Sequence, residues 1–228
     1  MIDTIQLSLN DYEIRNNPQL NVIRSTIDLS TGELKGDFHL LTINGDPVYG
    51  KKAFLNDPLF SLTLRPLGDS VRCFLKFSFP KVYLGNNFHP INIPKCCGVL
   101  LNLNKRLKES GIRTNIFHSD LSRIDIFKNV ETDENFSSYT NLFSLLRAKR
   151  MKARDFPTMF LWQNGRQQIV AYDKIQEFKR RHIPTTDLPK NVIRFERRLL
   201  NKTKIKKTLG FSNVEDLLEN PDTVEHEF

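Results

Sequence analysis

The chain has 228 residues, 39% of them hydrophobic and 26% charged, enough for one large domain or two small ones whose core needs neither disulfides nor metals. No run of about 18 apolar residues occurs, so no helical membrane span is expected. The start, Met1-Ile2-Asp3-Thr4-Ile5, lacks the regions of a signal peptide, and a cytoplasmic protein is expected. The net charge of +8 is uneven: residues 147–207 hold 18 Lys or Arg against five acids, a balance of +13, so the rest of the chain sums to −5. That asymmetry points to an anionic polymer met by one segment.

The first 80 residues alternate short apolar runs with turn signals, which favours antiparallel strands. Residues 2–9, 36–43, 59–64 and 71–79 have period two, with turns at 44–47 and 67–69. Residues 84–90 read as a loop. Residues 95–110 read as a helix with Val99, Leu100, Leu103 and Leu107 inward, ending at Gly111. A strand is expected over 119–127 and a helix over 131–150, with Asp133 as a candidate cap and Phe136, Leu142, Phe143, Leu145 and Leu146 inward. Strands at 158–163 and 168–172 flank Asn164-Gly165, a hairpin signal. A helix or tight turn follows at 173–181, a proline-bearing linker at 182–191 and a strand at 192–200. From Thr208 the chain has six acids and no Lys or Arg, and reads as an acidic tail with one short helix at 213–219. Residues 1–207 are expected as one functional domain and 208–228 as that tail. The fold class is α+β, a mainly antiparallel sheet with flanking helices. Cys73, Cys96 and Cys97 have neither zinc-ligand spacing nor easy disulfide geometry, so reduced, partly buried thiols are expected.

Tyr172 closes an apolar run, Ile169-Val170-Ala171, so its ring can be buried while its hydroxyl stays accessible. A free tyrosine has a pKa of about 10 and needs activation to act as a nucleophile. Lys174 is the candidate charge, acting on the phenol or on an attacked phosphate. Two further strings place acids on strands. In Arg123-Ile124-Asp125-Ile126-Phe127, Asp125 and Phe127 share one face and the isoleucines the other. In Ile193-Arg194-Phe195-Glu196-Arg197, Glu196 shares a face with Arg194. A strand carboxylate beside arginines is most often an ion pair. Phosphodiester chemistry, however, also calls for hard oxygen ligands to a divalent ion, Mg²⁺ or Mn²⁺, and Asp125, Glu196 and Asp3 are the candidate set.

The strings Met1-Ile2-Asp3-Thr4, Ser122-Arg123-Ile124-Asp125, Ile169-Val170-Ala171-Tyr172-Asp173-Lys174 and Val192-Ile193-Arg194-Phe195-Glu196, in that order, resemble those of filamentous-phage gene II replication initiators. They are similar also to plasmid rolling-circle initiators of the Rep-trans type. The segment from Phe79 to Asn87 is similar to a lysine and glycine-asparagine stretch of the same relatives. The resemblance implies a site-specific DNA nickase and strand transferase with Tyr172 as nucleophile. Such an enzyme leaves a 5′-phosphotyrosyl intermediate and a 3′-hydroxyl that primes rolling-circle replication. It implies single-stranded or hairpin origin DNA as substrate, a host helicase and polymerase as partners, and the bacterial host cytoplasm as location. His39, His89, His118, His182 and His226 are all solitary, so the paired histidines of the wider tyrosine-nickase superfamily are missing and the metal set rests on acids.

The basic residues expected to contact DNA are Arg147, Lys149, Arg150, Lys152, Lys179, Arg180, Arg181, Arg194, Arg197 and Arg198, holding phosphates rather than reading bases. Trp162 is a candidate for stacking on an unpaired base, with core packing as its commoner use; Tyr139 as a second nucleophile and His39 as a ligand are weaker candidates. No Walker-type glycine loop is present, so ATP hydrolysis is not expected. The competing reading is a non-catalytic DNA-binding regulator of phage or plasmid replication.

Overall fold

A computed structural model describes residues 1–14, 21–24, 39–43, 46–47, 53–67 and 70–225. In chain order the elements are β1 (Ile2–Leu9), β2 (Tyr12–Ile14), β3 (Asn21–Arg24), β4 (His39–Ile43), β5 (Asp46–Pro47), β6 (Ala53–Asn56), β7 (Phe60–Leu67), β8 (Ser70–Ser78), α1 (Phe79–Leu84), α2 (Ile93–Glu109), β9 (Ile112–Thr114) and β10 (Asp120–Glu131). They continue with α3 (Thr140–Leu145), β11 (Lys152–Phe156), β12 (Met159–Gln163), β13 (Gln167–Asp173), α4 (Lys174–Arg180), β14 (Val192–Leu199), α5 (Lys202–Leu209), α6 (Val214–Glu219) and α7 (Pro221–Glu225). Among the described residues the main sheet has nine strands in the order β11-β12-β13-β14-β10-β1-β8-β7-β6, every neighbour antiparallel. The expected α+β class holds.

Period two gives this sheet two unlike faces. One buries Ile5 and Leu7 of β1, Leu75 and Phe77 of β8, Ile124 and Ile126 of β10 and Leu199 of β14, in one cluster with Val99, Leu100, Leu103 and Leu107 of α2. The same face continues under β12–β14 as an aromatic cluster of Phe136, Phe143, Phe160 and Trp162. Trp162 is therefore a core residue, its Nε1 donating to the Leu146 carbonyl at 3.3 Å. The opposite face carries the polar residues of β1, β8, β10, β13 and β14. At its β13–β14 end Phe88, Ile175, Phe178 and Val192 form a small lid of apolar contacts.

Several expectations are corrected. The helix predicted over 131–150 is only a 3₁₀ turn and the six-residue α3. Of its supposed inner stripe only Phe136 and Phe143 are buried, while Leu145 is 74% exposed. Its first part prolongs β10, and residues past it form β11, an edge strand exposed along its whole length. Its charged composition, Lys152-Ala153-Arg154-Asp155-Phe156, hides a strand from pattern reading and protects a free edge from pairing with other chains. The short helix expected at 213–219 is α6, and Leu209, Phe211, Val214, Leu217 and Val224 of the acidic C-terminal segment are buried in the main cluster. Glu215, Glu219 and Asp222 are exposed on short helices, so composition alone conceals the apolar stripe. Helix α1 was not expected. Ser78 caps it by accepting from the Lys81 N–H, and Gly85, at φ 78°, closes it in a conformation that glycine adopts without strain. Cys73 and Cys96 are buried free thiols, each pushed up to about 12 by burial. The turns expected at 44–47 and 67–69 fall partly outside the described residues, as does the His39 side chain.

Candidate functional site

Four adjacent strands, β13, β14, β10 and β1, bring the singled-out residues to the polar face. The register sets Tyr172 beside Arg194 and Val170 beside Glu196, and Asp125 beside Arg198. Tyr172 thus meets Glu196 on the diagonal, within reach of long side chains. Its hydroxyl donates to Glu196 Oε1 at 2.6 Å. Asp3 reaches the same face through an irregularity: β1 and β10 pair Ile2 with Ile126 and Ile5 with Ile124, leaving one extra residue in β1. Such a bulge re-aims side chains, so Ile2 and Ile5 both face the core while Asp3 lies at the cleft. That cleft has a volume of about 820 Å³ and is walled by Asp3, Lys76, Arg123, Asp125, Tyr172, Glu196 and Arg198 among others.

Each acid is held by a cation or a donor. Arg123 grips Asp125 with Nε and a terminal nitrogen, both at 2.7 Å. Arg198 does the same to Glu196 Oε2 at 2.9 and 2.6 Å. Asp3 accepts from Ser78 Oγ at 2.6 Å and from Asn87 Nδ2 at 3.1 Å, and faces Arg194 at 3.5 Å. Burial pushes the carboxyls of Asp3 and Asp125 up despite these cations. For Glu196 burial also works upward, yet Arg198 and the Tyr172 hydrogen bond outweigh it and hold the group below its ordinary range. Burial and the Glu196 charge drive the Tyr172 phenol well above its ordinary value. Tyr172 is therefore a neutral donor resting on an ionised acceptor.

This arrangement sets a pH dependence. A carboxyl held low in the folded state contributes stability fully above its unfolded value of 4.5 and loses it as pH falls through the folded value. Asp3 and Asp125, held high, act in the opposite sense, their ionisation cost vanishing in acid. The difference in urea midpoint between wild type and Glu196→Gln is expected to be largest near neutrality and to shrink below about pH 4. A constant difference from pH 7 to pH 3 would remove Glu196 ionisation as its source.

Lys174 turns away from the cleft. It is wholly buried, and its Nζ donates to Asn87 Oδ1 at 2.8 Å and Glu177 Oε2 at 2.6 Å, 5.9 Å from the Tyr172 ring centroid. Burial, then Arg194, lowers its pKa to about 8. As first residue of α4 the side chain folds under the helix rather than into the cleft. Arg194, expected at DNA, is also fully buried. It donates to Asn129 Oδ1 at 2.8 Å and to the carbonyls of Asn87 and Phe88, and lies 4.0 Å over the Phe127 ring. Both cations are thus fastened to the loop after α1, with Asn87 as the hub joining them to Asp3.

The remaining basic residues separate by position. Arg198 and Arg181 line the cleft, and Arg180 lines an adjoining one with Tyr172 and Phe156. Lys179 is exposed on α4, and Arg147, Lys149, Arg150 and Lys152 lie before and along β11, at the rim of the sheet. Arg197 alternates to the opposite face from Glu196 and Arg198, away from the cleft. Tyr139 packs at 6.5 Å against Phe143, outside the cleft. Sequence reasoning missed Lys76 as a cleft residue and passed over Arg123 as a mere neighbour of Asp125. Only the outward phase of β8 and β10 could have marked them.

The acids do not fit a divalent ion as they stand. Both oxygens of Asp3, of Asp125 and of Glu196 already accept hydrogen bonds, and among the described residues no three His, Cys, Asp or Glu side chains converge closely enough to hold a metal. An ion at Asp125 or Glu196 would share their oxygens with Arg123 or Arg198.

The open antiparallel sheet, with a tyrosine bonded to a carboxylate in a cleft walled by lysine and arginine, defines an α+β protein with a basic-walled polar cleft. The chain belongs to the phage replication-associated protein family, gene II protein N-terminal region, whose model matches residues 69–221, more than half of its length. It is a replication-associated phage protein, an initiator of the filamentous-phage gene II type. The matched span contains Tyr172, Asp125 and Glu196 but not Asp3. No match to the chain was found among curated proteins or solved structures. Among the described residues no helix is long and apolar enough to cross a membrane.

Proposed function

We propose that the chain nicks one strand of phage origin DNA by in-line attack of Tyr172. The observation carrying this reading is the 2.6 Å hydrogen bond from the Tyr172 hydroxyl to an ionised Glu196 in a basic-walled cleft. Because the phenol is held far from ionising by itself, a base must take its proton as the oxygen attacks, and Glu196 is already in place. The Tyr172 oxygen bonds to phosphorus, the bond from phosphorus to the 3′ oxygen breaks, and that oxygen takes a proton from water to become the primer hydroxyl. Arg198, Arg123 and Lys76 offset the charge gathered on the phosphoryl oxygens. Arg198 also keeps Glu196 ionised, so one guanidinium serves base and substrate. Whether cleavage also needs Mg²⁺ or Mn²⁺ is read from its loss in EDTA.

Incubating the chain with labelled single-stranded or hairpin origin DNA in EDTA, Mg²⁺ or Mn²⁺, then denaturing and digesting, should yield a DNA-linked peptide containing Tyr172. Binding without any adduct in all three conditions would reject the nickase. It would leave the second reading, a regulator acting by occupancy, which the inward-turned Lys174 favours.

A further inference from the structure

The basic excess of residues 147–207 drew attention to one half of the sheet, yet the polar face continues past the cleft onto β1, β8 and β7. There Phe74 breaks the pattern. Its strand alternates Arg72, Phe74, Lys76 and Ser78 outward and Cys73, Leu75 and Phe77 inward. The ring stands between Ser8 of β1 and Thr63 of β7, belongs to none of the apolar clusters, and is only half-buried. A half-buried aromatic outside the apolar clusters gains less from packing than a core one. Instead the Arg65 guanidinium lies over it, 4.7 Å from the centroid. Arg65 and Arg72 are directly opposite across β7 and β8, and both are exposed. Neither they nor Lys76 forms an ion pair among the described residues. Like charges facing each other cost stability in the absence of a ligand.

Arg65, Phe74 and Arg72 wall a second cleft, about 630 Å³, with Gln6, Ser8 and the Lys202–Asp120 ion pair. It continues the first one. Gln6 pairs with Lys76 on one side and Arg123 on the other, both lining the Tyr172 cleft; two residues on, Ser8 pairs with Phe74. Two strand residues span roughly 7 Å, a step an extended strand covers in about one or two nucleotides.

We infer that the Arg65–Phe74–Arg72 cleft is a subsite for unpaired DNA leading to or from the Tyr172 cleft, with Arg65 and Arg72 on phosphates and Phe74 under a base. A base inside a duplex cannot offer its face to Phe74, whereas every unpaired base can, without regard to sequence. This subsite rests on the proposed nickase reading for its direction but is tested apart from it.

The test uses the full chain and a fluorescent deoxythymidine oligonucleotide of about 12 nucleotides, within the footprint of single-strand grooves, which carries no origin. Arg65→Gln/Arg72→Gln should flatten the dependence of log affinity on log salt by about 1.4, two single-strand phosphate contacts. Phe74→Ser should weaken binding by about 5- to 100-fold with the slope kept. Urea midpoints check that the variants fold, and ultraviolet crosslinking of the wild type should mark Phe74. Wild-type binding by both variants, a crosslink confined to other peptides, or equal competition by duplex DNA or by RNA would each overturn the subsite. Origin adduct formation by the wild type is read separately, so a failed subsite with a normal adduct leaves the nickase reading intact.

Discussion

Tyr172→Phe is expected to abolish the covalent DNA adduct, lowering nicking by on the order of 10⁶-fold or below detection, as removal of a nucleophile does. The substitution deletes one oxygen and leaves the ring in its place at the end of β13, so affinity for uncleaved origin DNA should stay within about twofold. Glu196 loses the donor at Oε1 but keeps Arg198 at Oε2, so it stays paired. Net loss of a hydrogen bond to a charged group is about 1.5–3 kcal/mol, visible in urea without unfolding the chain. An adduct that persists in the variant, on Tyr139 or any other side chain, would take the nucleophile's role from Tyr172. Loss of binding together with cleavage would instead make Tyr172 part of the DNA-holding surface.

Arg194→Met should be the most damaging single change to stability, about 3–5 kcal/mol, a large share of the roughly 5–15 kcal/mol typical of folded domains. Methionine fills much of the space over Phe127 but donates nothing. The carbonyls of Asn87 and Phe88, Asn129 Oδ1 and Asp3 Oδ2 would all lose the same guanidinium. Asp3 is the worst placed, because burial already raises its pKa and Arg194 is the strongest influence opposing that rise. Arg194→Lys should rescue little, since one ammonium cannot reproduce a planar fork that serves three directions. Urea unfolding gives the cost, and hydrogen exchange should show the loop at residues 85–89 opening first. A midpoint within about 1 kcal/mol of wild type would show that this buried cation does not hold the loop to the sheet.

The contrast between these two residues shows how far the sequence could be read. Tyr172, Glu196 and Asp125 were identifiable because a polar group in an apolar, β-patterned run must either be paired or be used, and period two fixes its face. Arg194 sat in the same string as Glu196 and on the same face, yet its use is opposite. Whether a strand arginine meets solvent or is covered depends on what folds over it, here α4 and the loop carrying Asn87, which come from distant parts of the chain. The position of Lys174 has the same cause. Two residues from Tyr172 looks close in sequence, but the helix beginning there turns the side chain beneath itself, toward Asn87 and Glu177.

Alternation, turn residues and charge distribution determined from the sequence alone that this is an antiparallel sheet protein with a basic segment and a polar face. These are local properties, written in neighbouring residues and obeying the chain's own periodicity. The order in which strands lie side by side, the bulge that turns Asp3 to the cleft, the Arg194 contact to Asp3 and the burial of Lys174 and Arg194 were decided only in the tertiary structure. They arise from contacts between segments up to 191 residues apart, whose free energy depends on mutual distance and shared exclusion of water, which no stretch of sequence contains by itself.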